Sequence, residues 1–503
     1  MTDQPSRPHS ASAGRAPLSG ELRSLGHVHF LGIGGVGVSG IARILQEQGV
    51  RISGTDAKDL PVMHRLAEDG ATVFVGYDAA HLDEAGPVDT VVASSIAGPG
   101  NPEYDEAVRR GIPVLHRSQG LAAAMAGHRV LAVAGTHGKT TTSSMAAMAF
   151  TRAGAEPSFA VGAAVAGLGT NARAGAGEWF IAEADESDGT LLNYRPEVAI
   201  VTNVEADHLD FYGSEDAVHQ VFRDFALLLP LAGTLVVCTD GPGGRDLARW
   251  VADRHSAGDP APQALTYGTA ALSPEADLVL ESTAPAVRAS GPGQHARLRW
   301  RDGGVSALDL AVPGEHNALN AAAVLAAGRA AGLEEPRVLQ GLEAFRGTAR
   351  RFEHRGGAGG VRVFDDYAHH PTEVAAAVAA GQAVAEGRRV LVLFQPHLFS
   401  RTRDFADGFA QALSQADVVR VLPIYPAREE PIEGVDASLI TDRLRTDLDG
   451  AGRVAEDVEA AVRELVEAAA PGDVVLTMGA GDVTVQGDRL VELLAARFAE
   501  GAQ

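Results

Sequence analysis

At 503 residues the chain is too long for a single hydrophobic core, and three domains is the natural division. With 46% hydrophobic and 21% charged residues it has the balance of a globular protein, and no stretch is long and apolar enough to span a bilayer, so no membrane insertion is expected. A formal net charge of −23 argues against nucleic acid or an anionic membrane as partner, because a phosphate backbone would be repelled.

Residues 1–23 are rich in Ser, Pro, Ala and Gly without an apolar core, and read as a disordered tail of a cytoplasmic protein, not a signal peptide. An apolar strand at 27–31 then runs into Gly32-Ile33-Gly34-Gly35-Val36-Gly37 and a helix from Val38 to about Gln48. A second strand ends at Asp56, where a ribose-binding acid is expected. Gly34, Gly35 and Gly37 suit a diphosphate on a helix N-terminus. NAD and a nucleotide sugar would both use that turn. The strand 89–93 ends at Ser94 and Ser95, which could face a base or ribose or simply form a turn. The first domain closes near 127, giving the division 24–127.

The apolar strand 130–134 leads into Gly135-Thr136-His137-Gly138-Lys139-Thr140-Thr141, and a helix follows to Arg152. Strand, Gly-rich turn, Gly-Lys-Thr and helix form a cradle for a nucleoside triphosphate. Lys139 reaches the outer phosphates, while the Thr140 hydroxyl helps to hold Mg²⁺. Only Lys58 and Lys139 among the 42 Lys and Arg residues are lysine, so an ammonium has been kept where a compact charge suits phosphate.

Residues 153–177 read as mostly loop. The strand 179–182 then ends at Glu183, placed to bind the metal, whereas Glu186 and Asp188 fit a solvated acidic loop. After the strand 198–201, His208 is a possible second metal ligand or an ordinary strand-end histidine. Cys238 falls in an apolar run and reads as a core residue. Asn317 and Asn320 lie one turn apart on a helix, where their amides could meet adenine or Asn317 could cap the helix. The central domain spans 128–346.

In the last domain, 347–503, strands at 361–364, 390–394, 418–424 and 474–478 alternate with helices as another doubly wound sheet. Its strand ends carry His370, His397 and Arg401, which gather where a small carboxylate could sit. The Arg401 guanidinium is the best partner for one.

Five stretches stand here in order: Gly-Thr-His-Gly-Lys-Thr-Thr-Thr, Glu-Ala-Asp-Glu-Ser-Asp, Thr-Asn-Val-Glu-Ala-Asp-His, Pro-Gly-Glu-His-Asn-Ala-Leu-Asn and Asp-Asp-Tyr-Ala-His-His-Pro. With them the chain resembles the Mur ligase family of ATP-dependent amide-forming enzymes, from about His27 onward. The resemblance implies an α/β protein of three domains: a Rossmann-like N-terminal domain for a UDP sugar, a central P-loop ATPase domain and a Rossmann-like C-terminal domain for an amino acid. The stretch His-Phe-Leu-Gly-Ile-Gly-Gly-Val-Gly-Val-Ser-Gly narrows it to the branch whose substrates are UDP-N-acetylmuramate and L-alanine.

By the same resemblance, ATP and Mg²⁺ are the cofactors, and Lys139, Glu183, His208, His370 and Arg401 are the catalytic set. Thr140, Glu183 and His208 serve Mg²⁺. The loop from Gly135 to Thr141 serves ATP, with Asn317, Asn320, Arg351 and Asp366. The glycines, Asp56, Ser94, Ser95, His370, His397 and Arg401 serve the substrates. Many relatives carry a carbamylated lysine near the second metal, which a chain without lysine after Lys139 cannot supply. Leu398 stands where some relatives have a second arginine. A murein tripeptide-recycling ligase and an NAD-dependent dehydrogenase are the rival readings, and a monomer or homodimer is expected.

Overall fold

The computed structural model describes residues 25–94, 97–288, 291–427, 429–444, 452–455 and 457–500. The expectations for residues 1–23 and for Ser95 therefore lie outside the described residues.

Three sheets follow one another along the chain. The first is parallel throughout, built from β1 (Val28–Leu31), β2 (Ile52–Asp56), β3 (Thr72–Val75), β4 (Thr90–Ala93) and β5 (Val114–His116) in the order β3-β2-β1-β4-β5. Strand order reverses beside β1, so the crevice above its carboxyl end, next to helix α1 (Val36–Glu47), is where a parallel sheet takes a ligand. Helix α2 (Arg117–Ala124) leads from this sheet to the next, and its first residue faces the central domain.

The central sheet has ten strands. Its parallel core comprises β6 (Arg129–Ala134), β7 (Ser158–Ala160), β9 (Trp179–Glu183), β10 (Val198–Val201), β11 (Thr234–Cys238) and β12 (Gln263–Thr269), with β8 (Ala172–Arg173) antiparallel on β7 at one edge. These strands are near-continuous apolar runs because helices α3 (Lys139–Arg152) and α4 (Glu315–Ala330) and their neighbours cover the sheet. At the other edge β13 (Leu278–Arg288) continues in parallel, and β14 (Gly291–Trp300) and β15 (Val305–Leu310) add an antiparallel extension. Residues 153–177 are mostly loop, as expected, and hold two short strands, β7 and β8, whose Phe159 and Ala172 are buried.

The third sheet runs β16-β17-β21-β18-β19-β20 through β16 (Glu353–Ala358), β17 (Val361–Asp366), β18 (Val390–Phe394), β19 (Val418–Val421), β20 (Gly452–Val454) and β21 (Val474–Met478). Only β16 is antiparallel. Helix α5 (Pro371–Ala385) starts just beyond β17 and α6 (Phe399–Leu413) just beyond β18, so the site residues of this domain lie at strand ends facing the central domain.

Candidate active site between the central and C-terminal domains

The phosphate loop leaves β6 at Ala134 and enters α3 at Lys139. The end of β10 holds it in place: Asn203 Oδ1 accepts the His137 N–H at 2.8 Å, and Asn203 Nδ2 donates to the His137 carbonyl at 3.2 Å. Gly138 takes φ 82°, and a Cβ there would lie 3.0 Å from Asn320 Oδ1, so both backbone shape and space demand glycine.

Lys139 turns back over its own loop. Its Nζ donates to the Gly135 and Thr136 carbonyls at 2.7 and 3.1 Å and pairs with Glu186 at 2.8 Å. Burial works against the ammonium, but Glu186 and Asp185 raise its pKa and keep it charged. Glu186 is itself buried, and desolvation pushes its carboxyl up to about 7 against the pull of Lys139. The expectation of a solvated Glu186 is thereby corrected. Nothing in the local sequence separates it from its acidic neighbours; only the tertiary approach of Lys139 does.

The Thr140 hydroxyl donates to Glu183 Oε1 at 3.0 Å, and the Gly162 N–H donates to Glu183 Oε2 at 2.8 Å. A Cβ on Gly162 would fall 2.7 Å from Glu183 Oε2 and 2.8 Å from Thr140 Oγ1. The two oxygens thus border a small cradle of hard donors kept open by a glycine, which fits Mg²⁺. His208 adopts φ 55° and stands 3.7 Å from Glu186 and 3.6 Å from Asp207. Burial lowers its pKa, leaving a neutral imidazole beside the acidic loop.

A cavity of about 170 Å³ opens beside the loop, lined by Gly138, Thr141, Asn317, Asn320, Arg351 and Asp366. Asn317 does not cap its helix, whose N-cap is Gly314; its Nδ2 donates to the Pro313 carbonyl at 2.7 Å. Asn320 Nδ2 lies 3.5 Å from Asn317 Oδ1. Arg351 crosses from the C-terminal domain, its Nη2 3.5 Å from Thr140 Oγ1. Asp366 accepts the Phe352 and Ala368 N–H groups, and burial raises its carboxyl to about 6 despite Arg351. Cys238 borders this cavity as a buried thiol, pushed up to about 12 by desolvation and thus inert at neutral pH.

Arg401 is buried with Asp207, Nη2 lying 3.3 and 3.4 Å from the two carboxylate oxygens. Burial would raise Asp207, but Arg401 first, then His208 and His370, hold it well below the usual carboxylate range. His370 caps α5, and burial together with the charge of His137 lowers it to about 4. Arg401 therefore pairs with Asp207 directly, while His370 feels its charge without a hydrogen bond. His397 packs instead against Tyr425 and His369, with ring centroids at 5.9 and 6.0 Å.

In the first domain, Asp56 Oδ2 accepts the Gly34 N–H at 3.0 Å, so this acid supports the Gly-rich turn itself. Ser94 Oγ and Tyr77 Oη lie 3.8 and 3.9 Å from a Cβ built on Gly32. Arg117 pairs with Asp185 at 3.0 Å and sits 3.9 Å from a Cβ on Gly37, linking the Gly-rich turn to the acidic loop. Tyr77, Arg117 and Glu373 fall outside the five stretches, and Asp207 lies within Thr-Asn-Val-Glu-Ala-Asp-His, where His208 draws the ligand reading instead. The nearest signal for Glu373 is its place in the first turn of α5, three residues after His370.

Three parallel-sheet units, a lysine phosphate loop and a C-terminal arginine reaching into that loop define an ATP-dependent ligase. Family models for the Mur ligase family catalytic domain, the Mur ligase middle domain and the Mur ligase glutamate ligase domain match residues 27–129, 133–328 and 350–481. The chain belongs to the Mur ligase family. Within it, the chain is 53% identical over 473 residues to the UDP-N-acetylmuramate–L-alanine ligase of Paenarthrobacter aurescens, covering 94% of this chain and 98% of that protein. The same enzyme of Arthrobacter sp. is 52% identical, over 95% and 97%. The crystal structure of UDP-N-acetylmuramate–alanine ligase from Thermotoga maritima superposes with a TM-score of 0.74 at 26% identity, covering 94% of this chain and 99% of that one. A murein peptide ligase from Psychrobacter arcticus shares the fold at a TM-score of 0.65 and 24% identity, over 93% and 98%. Membership in a ligase family sets aside the dehydrogenase reading of the Gly-rich turn.

Proposed function

We propose that this chain joins L-alanine to the lactyl carboxylate of UDP-N-acetylmuramate at the expense of ATP, a step of peptidoglycan precursor synthesis in the cytoplasm. The observation that carries this reading is the identity of about half of all residues, over nearly the full length, with alanine-adding ligases. In working terms, residues 24–127 bind the UDP sugar, 128–346 bind ATP and 347–503 bind the amino acid.

Gly34, Gly35 and Gly37 seat the diphosphate at the N-terminus of α1, and the sugar points toward Asp185 and the phosphate loop. Asn317 and Asn320 orient adenine. Lys139 leaves Glu186 for the outer phosphates, and Arg351 adds a second positive charge from the opposite domain. Thr140 and Glu183, and His208 as a further ligand, would hold Mg²⁺, which would supply charge neutralisation at the transferring phosphoryl group. The lactyl carboxylate takes the γ-phosphoryl group as ADP leaves, and the alanine amine attacks the resulting acyl phosphate, giving up a proton as phosphate departs and the amide forms. His370 and Arg401 hold the amino acid, with Asp207 fixing the guanidinium. No protein nucleophile is required; positioning and fixed charge carry the reaction.

Phosphate release from ATP and Mg²⁺, with UDP-N-acetylmuramate and L-alanine added singly and together, tests this reading. Release that requires both supports it. Release with the sugar and murein tripeptide, and none with alanine, replaces it with the recycling ligase.

A further inference from the structure

A second set of ligating groups lies at the seam between the central and C-terminal domains, separate from the Thr140–Glu183 pair. Among the described residues, His137, Glu205 and His370 each bring one ligand atom within 4.8 Å of the others. Both imidazoles are anchored through Nδ1: Glu373 Oε1 lies 3.4 Å from His137 Nδ1, and the Thr372 N–H donates to His370 Nδ1 at 3.4 Å. Both Nε2 atoms are buried without a hydrogen-bond partner, in residues only 8% and 5% exposed. Glu205 Oε2 stands 3.4 Å from His137 Nε2 and is steadied by the Thr372 hydroxyl, which donates to it at 3.0 Å.

A carboxylate behind an imidazole is the arrangement that fixes the ring of a metal-bound histidine. Two donors about 2.0–2.1 Å from one tetrahedral ion sit roughly 3.4 Å apart, the spacing found between His137 and Glu205. Two imidazoles and one carboxylate form a borderline-soft set that suits Zn²⁺ or Co²⁺, whereas Mg²⁺ prefers oxygen donors. The central domain supplies His137 and Glu205, and the C-terminal domain supplies His370.

We propose that His137, Glu205 and His370 form a transition-metal site that, when filled, ties the C-terminal domain to the phosphate loop. Zn²⁺ bound there restrains the loop two residues before Lys139 and acts as a reversible brake on turnover, released by a chelator.

The test is titration of the metal-free, full-length protein with Co²⁺ in millimolar Mg²⁺, read by visible absorption and then by displacement with Zn²⁺. One Co²⁺ per chain is expected, with at least tenfold weaker binding in Glu205→Gln and His370→Asn and undiminished binding in Glu183→Gln. Glu205→Gln keeps side-chain volume and the Thr372 contact, so it reports ligand loss and not unfolding; circular dichroism checks each variant. Equal binding in wild type and both variants would place the ion elsewhere and overturn the proposal. No retained Co²⁺ or Zn²⁺ would reduce the cluster to ion pairs and overturn it equally.

Discussion

Lys139, partly buried, and Arg401, buried, are both cations held by buried acids, yet they answer to different tests. Lys139→Ala should lower turnover by about 10³-fold, the scale of losing one preorganised electrostatic contact. Calorimetric affinity for UDP-N-acetylmuramate should stay within about twofold; retained turnover would remove Lys139 from the phosphate site. Arg401→Ala strands Asp207, and a buried acid without its partner costs about 3 kcal/mol. That stability should return in the Arg401→Ala, Asp207→Asn double variant, while use of alanine stays impaired. If alanine kinetics recover along with stability, Arg401 is a structural residue and not a substrate contact. Lys139 was legible because strand, glycine turn and helix surround it in sequence. Asp207 and Glu186 were not, because an acid's partner 194 or 47 residues away leaves no local trace.

At the scale of the elements, the parallel strands were legible as apolar runs, since helices on both faces remove any alternation. The short edge strands β7 and β8 sit among Gly and Ala and are stabilised by pairing alone, so composition pointed to loop. β15 alternates exposed and buried residues along its length and lacks the run that marks its parallel neighbours. Backbone strain gathers where the site is built: His208, Arg350, Phe352 and Leu398 all have positive φ on the loops leaving β10, preceding β16 and following β18. Leu398 thus replaces a hoped-for arginine with a residue whose backbone, at φ 71°, sets the start of α6. The loop after β7 gives the sharpest test. Gly162→Ala pushes a methyl group between Thr140 and Glu183, and at least a tenfold rise in the KM for Mg²⁺·ATP is expected, with UDP-sugar affinity unchanged. An unaltered KM would separate that oxygen pair from the metal.

The whole molecule is joined at its seams by packing and by charge: one apolar core runs from Val38 and Ile41 of α1 to Ala172 and Phe180 of the central domain. Arg117 with Asp185 links the first two domains, and Arg401 with Asp207 and Thr372 with Glu205 link the last two. His137 sits at that second seam between Glu205 and Glu373. Burial alone would lower its pKa, but the two carboxylates override it and raise the imidazole to about 9. The unfolded chain releases this proton near pH 6.5, so between 6.5 and 9 the folded chain holds a proton that the unfolded chain has lost. Stability from this group is therefore complete below pH 6.5 and is lost as pH rises through 9, an effect on the order of 3 kcal/mol. With EDTA present to keep metal out of the cluster, the thermal midpoint of the wild type should fall across this window. His137→Gln, which cannot carry the charge, should start lower at pH 6.5 and show a flatter profile. Parallel profiles in the two proteins would mean that His137 is neutral at the seam, and that Glu205 and Glu373 are balanced by other groups.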